Sequence, residues 1–547
     1  MVSARMIKLL KGEHGDAIRR LRQGIPLARN KQALNNPHAK NGAPAPIHTL
    51  DVPDELVVPL IDYHQRSLHT HLQAGDEVSC GDVIAGTLIA PASGIISSIE
   101  PRPAATPYQT HTTSVVIKVD HARDSVDSAQ TRHMPLAHVT LERVQTMGLS
   151  GLGGAGFPTH EKLNALTAQA IETLIINGAE CEPVIACDEA LMQCPKHARD
   201  IVRGIGLLIV LTHCQQCVLV IENDKSRAIA VMQKAIDEYN TQHTQSSTKR
   251  LPDDLINAST ECPVSLLTVA PIYPSGAERP LVELVTGKRL APLQKSIDLG
   301  VLCINVATAE SVAQAADGYP LISRVITVAG NQAHHCTNVR ARLGTSVMDI
   351  LRQTGNLEAS LKNRVRIGGP LSGFDLDERQ VAVTAKTNCI TVDAPAVTAE
   401  ALPCIRCGAC EDVCPVHLAP QQLYWFGQAE QQDYLELHQL DNCIECACCD
   451  LVCPSHIPLT DTFRQLRASR QQTRNEALRA KEAEDRYQAR IEREENRARL
   501  KESKRLEAQA RIKQGAINTD DVLARIKRKR NPASTSGNTD NKGDSTT

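Results

Sequence analysis

Two stretches of this chain repeat one spacing of cysteines. The first is Cys404-Ile-Arg-Cys-Gly-Ala-Cys-Glu-Asp-Val-Cys414-Pro415; the second is Cys443-Ile-Glu-Cys-Ala-Cys-Cys-Asp-Leu-Val-Cys453-Pro454. Each reads C-x2-C-x2-C-x3-C-P, and the second leaves Cys448 as an extra thiol. Three closely spaced thiolates suit three irons of a cubane, while the fourth, just before proline, reaches the other cluster. One cluster would then take Cys404, Cys407, Cys410 and Cys453, and the other Cys443, Cys446, Cys449 and Cys414. The alternatives are paired structural zinc sites or disulfides. Zinc is usually held by two C-x2-C knuckles, which leaves the third cysteine and the proline without a purpose. Two [4Fe–4S] clusters are the expectation, and two clusters placed to exchange single electrons form a wire.

A second chemical centre lies upstream, in Gly148-Leu-Ser-Gly-Leu-Gly-Gly-Ala-Gly-Phe-Pro-Thr-His-Glu-Lys162. Five glycines in nine residues let backbone N–H groups approach a ligand closely. The loop opens into a helix expected near Thr159, whose N-terminus favours phosphate. It is neither the dinucleotide G-x-G-x-x-G after a strand nor a Walker loop.

The elements that must position these groups follow from pattern and composition. At 547 residues the chain is long enough for three or four domains. Its formal net charge of −2 argues against a nucleic-acid binder, and no run approaches the roughly 20 apolar residues of a membrane span. Met1 to Arg22 shows no signal peptide, so the nineteen cysteines read as metal ligands and reduced thiols of a cytoplasmic protein. With 2% aromatic residues, the cores must be aliphatic.

The fold class expected is a multidomain α/β chain with β-rich modules. Residues 1–45 form an irregular lead-in. Residues 46–125 show short β-branched runs broken by glycine turns, resembling the barrel-sandwich of biotinyl and lipoyl carriers. No lysine occurs between Lys40 and Lys118, so a structural or docking module is favoured over a swinging arm. In residues 126–320, apolar runs at Leu174–Asn177 and Val218–Glu222 alternate with helical spacing at Ala198–Leu211 and Ala228–Ile236. This is an α/β signature, with ligands expected at the carboxyl ends of the strands.

Residues 321–394 read as a small α+β, β-grasp-like module. Its β-rich runs at Val325–Val328, Val365–Gly373 and Val381–Thr384 bracket a helix at Val347–Gln353. The two-cluster, ferredoxin-like α domain occupies 395–465, a charged helical extension 466–530, and a tail expected to be disordered 531–547. The apolar residues of the extension sustain no coiled-coil heptad, which leaves a solvated helix or a contact with a partner or anionic surface. Cys214-Gln-Gln-Cys217 reads as buried structural thiols.

The glycine loop carries a resemblance. Its Gly-x-Gly-Gly-Ala-Gly-Phe-Pro-Thr is similar to the flavin loop of the NADH-oxidising flavoprotein subunit of respiratory complex I. Asn177-Gly-Ala-Glu-Cys-Glu-Pro183, Tyr273-Pro-Ser-Gly-Ala-Glu278 and Asn305-Val-Ala-Thr308 follow in that family's order. With the carrier-like module, tandem cysteine motifs and charged tail, the chain from about residue 20 to 460 resembles the C subunits of bacterial Rnf (or Rsx) electron-transport complexes.

The resemblance implies that Gly151, Gly153, Gly154 and Gly156 wrap non-covalent FMN, with Lys162 near phosphate or nicotinamide nucleotide. Asn177 and Asn305 would bond the isoalloxazine or ribityl chain, and Glu180, Glu182 and Glu278 would line an NAD(H) pocket. No acid–base catalytic residue is implied. Ala179, Ala277 and Val184 depart from the complex I pattern. The implied role is a peripheral, NADH-oxidising subunit on the cytoplasmic side of the bacterial inner membrane. It would serve an ion-translocating complex, with membrane and iron–sulfur subunits, and ferredoxin in some cases, as partners. The other reading is an iron–sulfur relay or assembly subunit that binds no nucleotide, motivated by the missing acidic residues.

Overall fold

The computed structural model describes residues 24–25, 46–63, 66–107, 111–124, 141–164, 170–246, 262–291, 294–395, 400–513 and 519–530. The expected lead-in and tail fall almost wholly outside them. The chain divides into two units, 1–465 and 466–547.

In the first unit, a four-stranded antiparallel sheet runs in the order Glu55–Pro59, His111–Val119, Gly94–Pro103, Glu77–Val78. A two-stranded ribbon of Val83–Ala85 and Leu88–Ile89 accompanies it. Their shared core is aliphatic: Leu60, Ile84, Ile96, Val115 and Ile117.

The α/β segment holds a parallel sheet in the order Val264–Val269, Gln216–Glu222, Thr173–Asn177, Val301–Asn305. Successive side chains point to opposite faces. Leu174 and Ile176 therefore enter one core and Ile175 the other. Helices Pro195–Thr212 and Val306–Ala316 pack on the first face, and Glu278–Thr286 on the second. Both strand runs expected from the sequence are present, and both helical runs lie inside longer helices, Pro195–Thr212 and Ser226–Ser246.

The third module is a six-stranded mixed sheet: Ile47–Thr49, Thr337–Arg342, Ser323–Ala329, Cys389–Asp393, Arg364–Ile367, Phe374–Asp375. Its helix falls at Val347–Gln353 as expected, because Ser346 caps it by accepting from Asp349 N at 3.0 Å. Two details differ from the sequence reading. Ile47–Thr49 pairs in parallel with Thr337–Arg342, so it belongs to this sheet rather than to the barrel-sandwich segment. Val381–Thr384 is not a strand. Its apolar residues are buried, but their backbone bonds go to Gly344, Thr345 and Val347 at the helix entrance, and the strand is Cys389–Asp393.

The cysteine motifs lie among short helices Ala409–Asp412, Pro420–Gln428, Gln432–Leu437 and Cys448–Leu451. A helix then runs from Leu459 to Lys513. It contains neither Gly nor Pro, and its second-unit part carries i,i+4 pairs such as Arg490–Glu494 at 3.0 Å. Thr519–Arg530 is also helical. No described helix is long and apolar enough to cross a membrane.

Candidate redox centre

Parallel registry sets Asn305 beside Asn177 at the carboxyl ends of adjacent strands. The glycine-rich loop crosses these ends. Gly151 N donates to Phe157 O at 2.8 Å, closing the loop on itself. Leu152 N donates to Thr308 Oγ1 at 2.9 Å, and Arg324 donates to Leu152 O at 3.1 Å. Gly154 and Gly156 have φ of +96° and +70°, open to glycine without strain. A Cβ on Gly153 would lie 3.3 Å from Asn305 Cβ. The result is a backbone-lined cradle, crowded by Asn305 at Gly153 and by Lys386 at Gly156 and more open at Gly154, where the lack of side chains suits close approach of a flavin or its phosphate. The helix after it, Thr159–Asn164, has only six residues.

The structure gives each polar residue singled out above a definite partner. Asn177 Nδ2 donates to Gly276 O at 2.8 Å, and its Oδ1 accepts from Ala179 N. Asn305 caps the helix Val306–Ala316 through Ala307 N at 2.9 Å, while its Nδ2 donates to Asp188 Oδ2 at 2.6 Å. Lys162 Nζ donates to Glu278 Oε2 at 3.0 Å and Cys303 O at 2.7 Å. Burial works against both charges of that pair. Their mutual attraction wins, leaving the Lys162 ammonium above its ordinary range and the Glu278 carboxyl below its own.

The other two glutamates face inward. Glu180 is buried, accepting from Asp188 N at 3.1 Å and Glu189 N at 3.2 Å, with buried Lys225 3.8 Å away. Burial, then the Glu180 charge, pushes Asp188 up to about 7. Glu182 accepts from Leu371 N at 2.9 Å, Ser372 N at 2.8 Å and Ser372 Oγ at 2.5 Å, tying the Asn177–Pro183 loop to the third module.

The third and first modules also reach the cradle, through residues the sequence did not single out. The stem of Lys386 crosses Gly156, and Asn388 Nδ2 stands 3.8 Å from where a Gly154 Cβ would be. Tyr63 packs edge-on against Phe157 with centroids 4.9 Å apart. No motif marks these residues, because their place depends on how the modules assemble.

In the cysteine region, Cys404, Cys407, Cys410 and Cys453 line one cavity with Pro454, Tyr424 and Ile457. Three thiols from one motif and the fourth from the other fit a cubane. Of the other four motif cysteines, Cys446 is in electrostatic reach of Cys414 and of Cys449. The two motifs share backbone shape. Arg406, Gly408 and His417 have φ of 58°, 81° and 58°; the equivalent Glu445, Ala447 and His456 have 55°, 57° and 51°. None of the nineteen cysteines is in a disulfide. Cys214 and Cys217 are buried, and Cys214 Sγ lies 4.0 Å from Cys262 Sγ.

A hydrogen-bonded bridge joins the second cysteine motif to the α/β segment. Glu445, inside the second motif, accepts from Arg464 Nε at 3.0 Å. Arg464 also donates to the carbonyl of Ser372 at 3.0 Å, and Ser372 in turn holds Glu182.

This combination defines chains that join a flavin-type cradle to a ferredoxin-like cysteine domain, and sequence comparison agrees. Residues 144–314 match the Nuo51 FMN-binding domain, 403–457 the 4Fe-4S dicluster domain, and 21–122 the RnfC barrel sandwich hybrid domain. The chain belongs to the family of C subunits of ion-translocating oxidoreductase complexes. It is 38% identical to the Salmonella gallinarum member over 88% of this chain and 70% of the relative. For the Klebsiella pneumoniae member the figures are 38%, 89% and 63%, and for that of Pseudomonas aeruginosa 36%, 83% and 57%. The chain thus spans somewhat less than two thirds of the Klebsiella and Pseudomonas relatives. Among solved structures, an NAD+-reducing [NiFe]-hydrogenase in the H2-reduced state aligns over 50% of this chain and 49% of its own. The TM-score is 0.40 and the identity 20%, too loose to define shared architecture.

Proposed function

We propose that this chain passes electrons between NADH, FMN and two [4Fe–4S] clusters towards partner subunits of a membrane-bound, ion-translocating complex. It would sit peripherally on the cytoplasmic face. The observation that carries this reading is the presence, within one unit, of both the glycine cradle at the strand ends and the four-cysteine cavity. Flavin, when bound, converts the hydride of NADH into single electrons that clusters can take. The protein's part is to bind and orient. The Gly151–Gly156 backbone receives the flavin, Asn177 and Asn305 fix the strand ends beneath it, and the Lys162–Glu278 pair supplies a charged wall for the nucleotide. Cys404, Cys407, Cys410 and Cys453 hold one cluster, and Cys443, Cys446, Cys449 and Cys414 the other.

One observation favours a second reading, a cluster-binding relay or assembly subunit without nucleotide. The Glu182 carboxylate is already engaged by Leu371 and Ser372, and Ala179 and Ala277 offer no acidic group. An anoxic UV–visible spectrum of the iron-reconstituted protein with FMN, before and after NADH, separates the two. Bleaching of flavin and cluster absorbance together is expected. Clusters that bleach with dithionite but ignore NADH would favour the relay.

A further inference from the structure

Lys386 sits on a short turn built to present it. Thr387 N donates to Thr384 O at 3.0 Å, Thr384 N to Thr387 Oγ1 at 3.2 Å, and Lys386 N to Thr384 Oγ1 at 3.3 Å. Arg324, buried in the third module, donates to Ala385 O and at 3.1 Å to Leu152 O. One guanidinium therefore fixes the turn and the glycine loop relative to each other.

The side chain that results is half-buried and lies across the cradle. Its Cγ and Cε come within 2.6 and 2.7 Å of where a Gly156 Cβ would stand. The ammonium is 5.3 Å from the centroid of the Tyr63 ring. Among the described residues no carboxylate lies within ion-pair distance of it. Asp62, the nearest acidic influence, is held by Arg66 at 2.7 Å. A partly desolvated cation with only a ring face for company lacks its counter-charge, and the burial lowers its proton affinity accordingly. Beside it, Asn388 turns an amide towards Gly154.

We propose that Lys386, assisted by Asn388, binds a phosphate group of the nucleotide seated in the glycine cradle. The wall of the site facing that phosphate then comes from the third module, outside the residues that match the FMN-binding domain. The inference rests on the cradle holding a nucleotide, and its ligand chemistry has two sources, the flavin monophosphate or the nicotinamide pyrophosphate.

The test is fluorescence titration of anoxic, flavin-stripped protein with FMN, riboflavin and NADH, comparing wild type with Lys386→Met, Lys386→Arg and Asn388→Ala. If the flavin monophosphate is the ligand, Lys386→Met weakens FMN about 10- to 100-fold, the scale of one charge-assisted hydrogen bond. Riboflavin affinity is then unchanged and Lys386→Arg restores part of the loss. If the pyrophosphate is the ligand, the loss falls on NADH and spares FMN. Amine-reactive labelling of Lys386 in the wild type, read by peptide mass, should be slowed by FMN or NADH and not by riboflavin, and needs no variant to fold. Lys386→Met binding all three ligands as wild type does, with labelling indifferent to them, overturns the assignment. Wild type that binds neither FMN nor NADH overturns the nucleotide reading beneath it.

Discussion

The stem of Lys386 occupies the space a side chain at position 156 would need, with its Cγ 2.6 Å from that Cβ position. Gly156 also has φ of +70°, so two separate constraints act on it. Gly156→Ala should cost about 1–3 kcal/mol of stability and weaken FMN binding. Adding Lys386→Ala should return the steric part only, leaving about 1–2 kcal/mol for the left-handed backbone. A double-mutant cycle on thermal or urea unfolding reads the coupling. Strict additivity would mean that the two residues do not meet.

Glu278 and Lys162 give a pH signature. Glu278 has a folded value below its ordinary 4.5, so its contribution is complete above that and is lost as pH falls through the folded value. Lys162 is raised above 10.5, so its contribution holds below that and is lost as pH rises through the folded value. The stability difference between wild type and Glu278→Gln should therefore be flat from pH 4.5 to 10.5 and shrink on either side. With side chains 24% and 43% exposed, the plateau should be less than about 1 kcal/mol. Denaturant unfolding across pH measures it.

The cavity shared by both motifs predicts crossed losses. Cys404→Ser and Cys453→Ser should remove the same cluster signal from the reduced electron paramagnetic resonance spectrum. Cys414→Ser and Cys443→Ser should remove the other. Each variant should keep about half of the roughly eight irons of two cubanes. Losses grouped by sequence, with Cys404 paired to Cys414, would contradict the cavity.

Arg464, 13% exposed, ties Glu445 to Ser372. Arg464→Met should cost about 1.5–3 kcal/mol, the scale of hydrogen bonds to charged groups. It should also raise amide exchange at 371–373 and 443–446 together. Arg464→Lys should not restore both, since one ammonium lacks the planar fork. Exchange confined to one of the two loops would show that the bridge does not couple them.

These predictions divide by how far the sequence could see. Cysteine spacing is local chemistry, so each of the two motifs that fall in the 4Fe-4S dicluster domain was readable from ten or so residues. The strand Thr173–Asn177 was readable from its apolar run, and the helix Val347–Gln353 from its place between β-rich runs. Glu182 shows the limit. Its motif was visible, but the hydrogen bonds that engage its carboxylate come from Leu371 and Ser372, far along the chain. Ile47–Thr49 is too short to carry a pattern, and its sheet is set by a partner strand at Thr337–Arg342. Val381–Val383 satisfied the apolar expectation of a strand, yet their backbone groups bond at a helix entrance instead. Lys386 and Tyr63 acquire meaning only when three modules meet.

The cavity lined by Cys404, Cys407, Cys410 and Cys453 has a consequence for how the protein is made. A ribosome that has just released Cys414 has delivered three of that cavity's four thiols, and the last arrives only with the second motif. If those four thiols hold one cluster, its iron can be fully ligated only after translation passes residue 453, and a chain truncated between the motifs would be no one-cluster version of the protein.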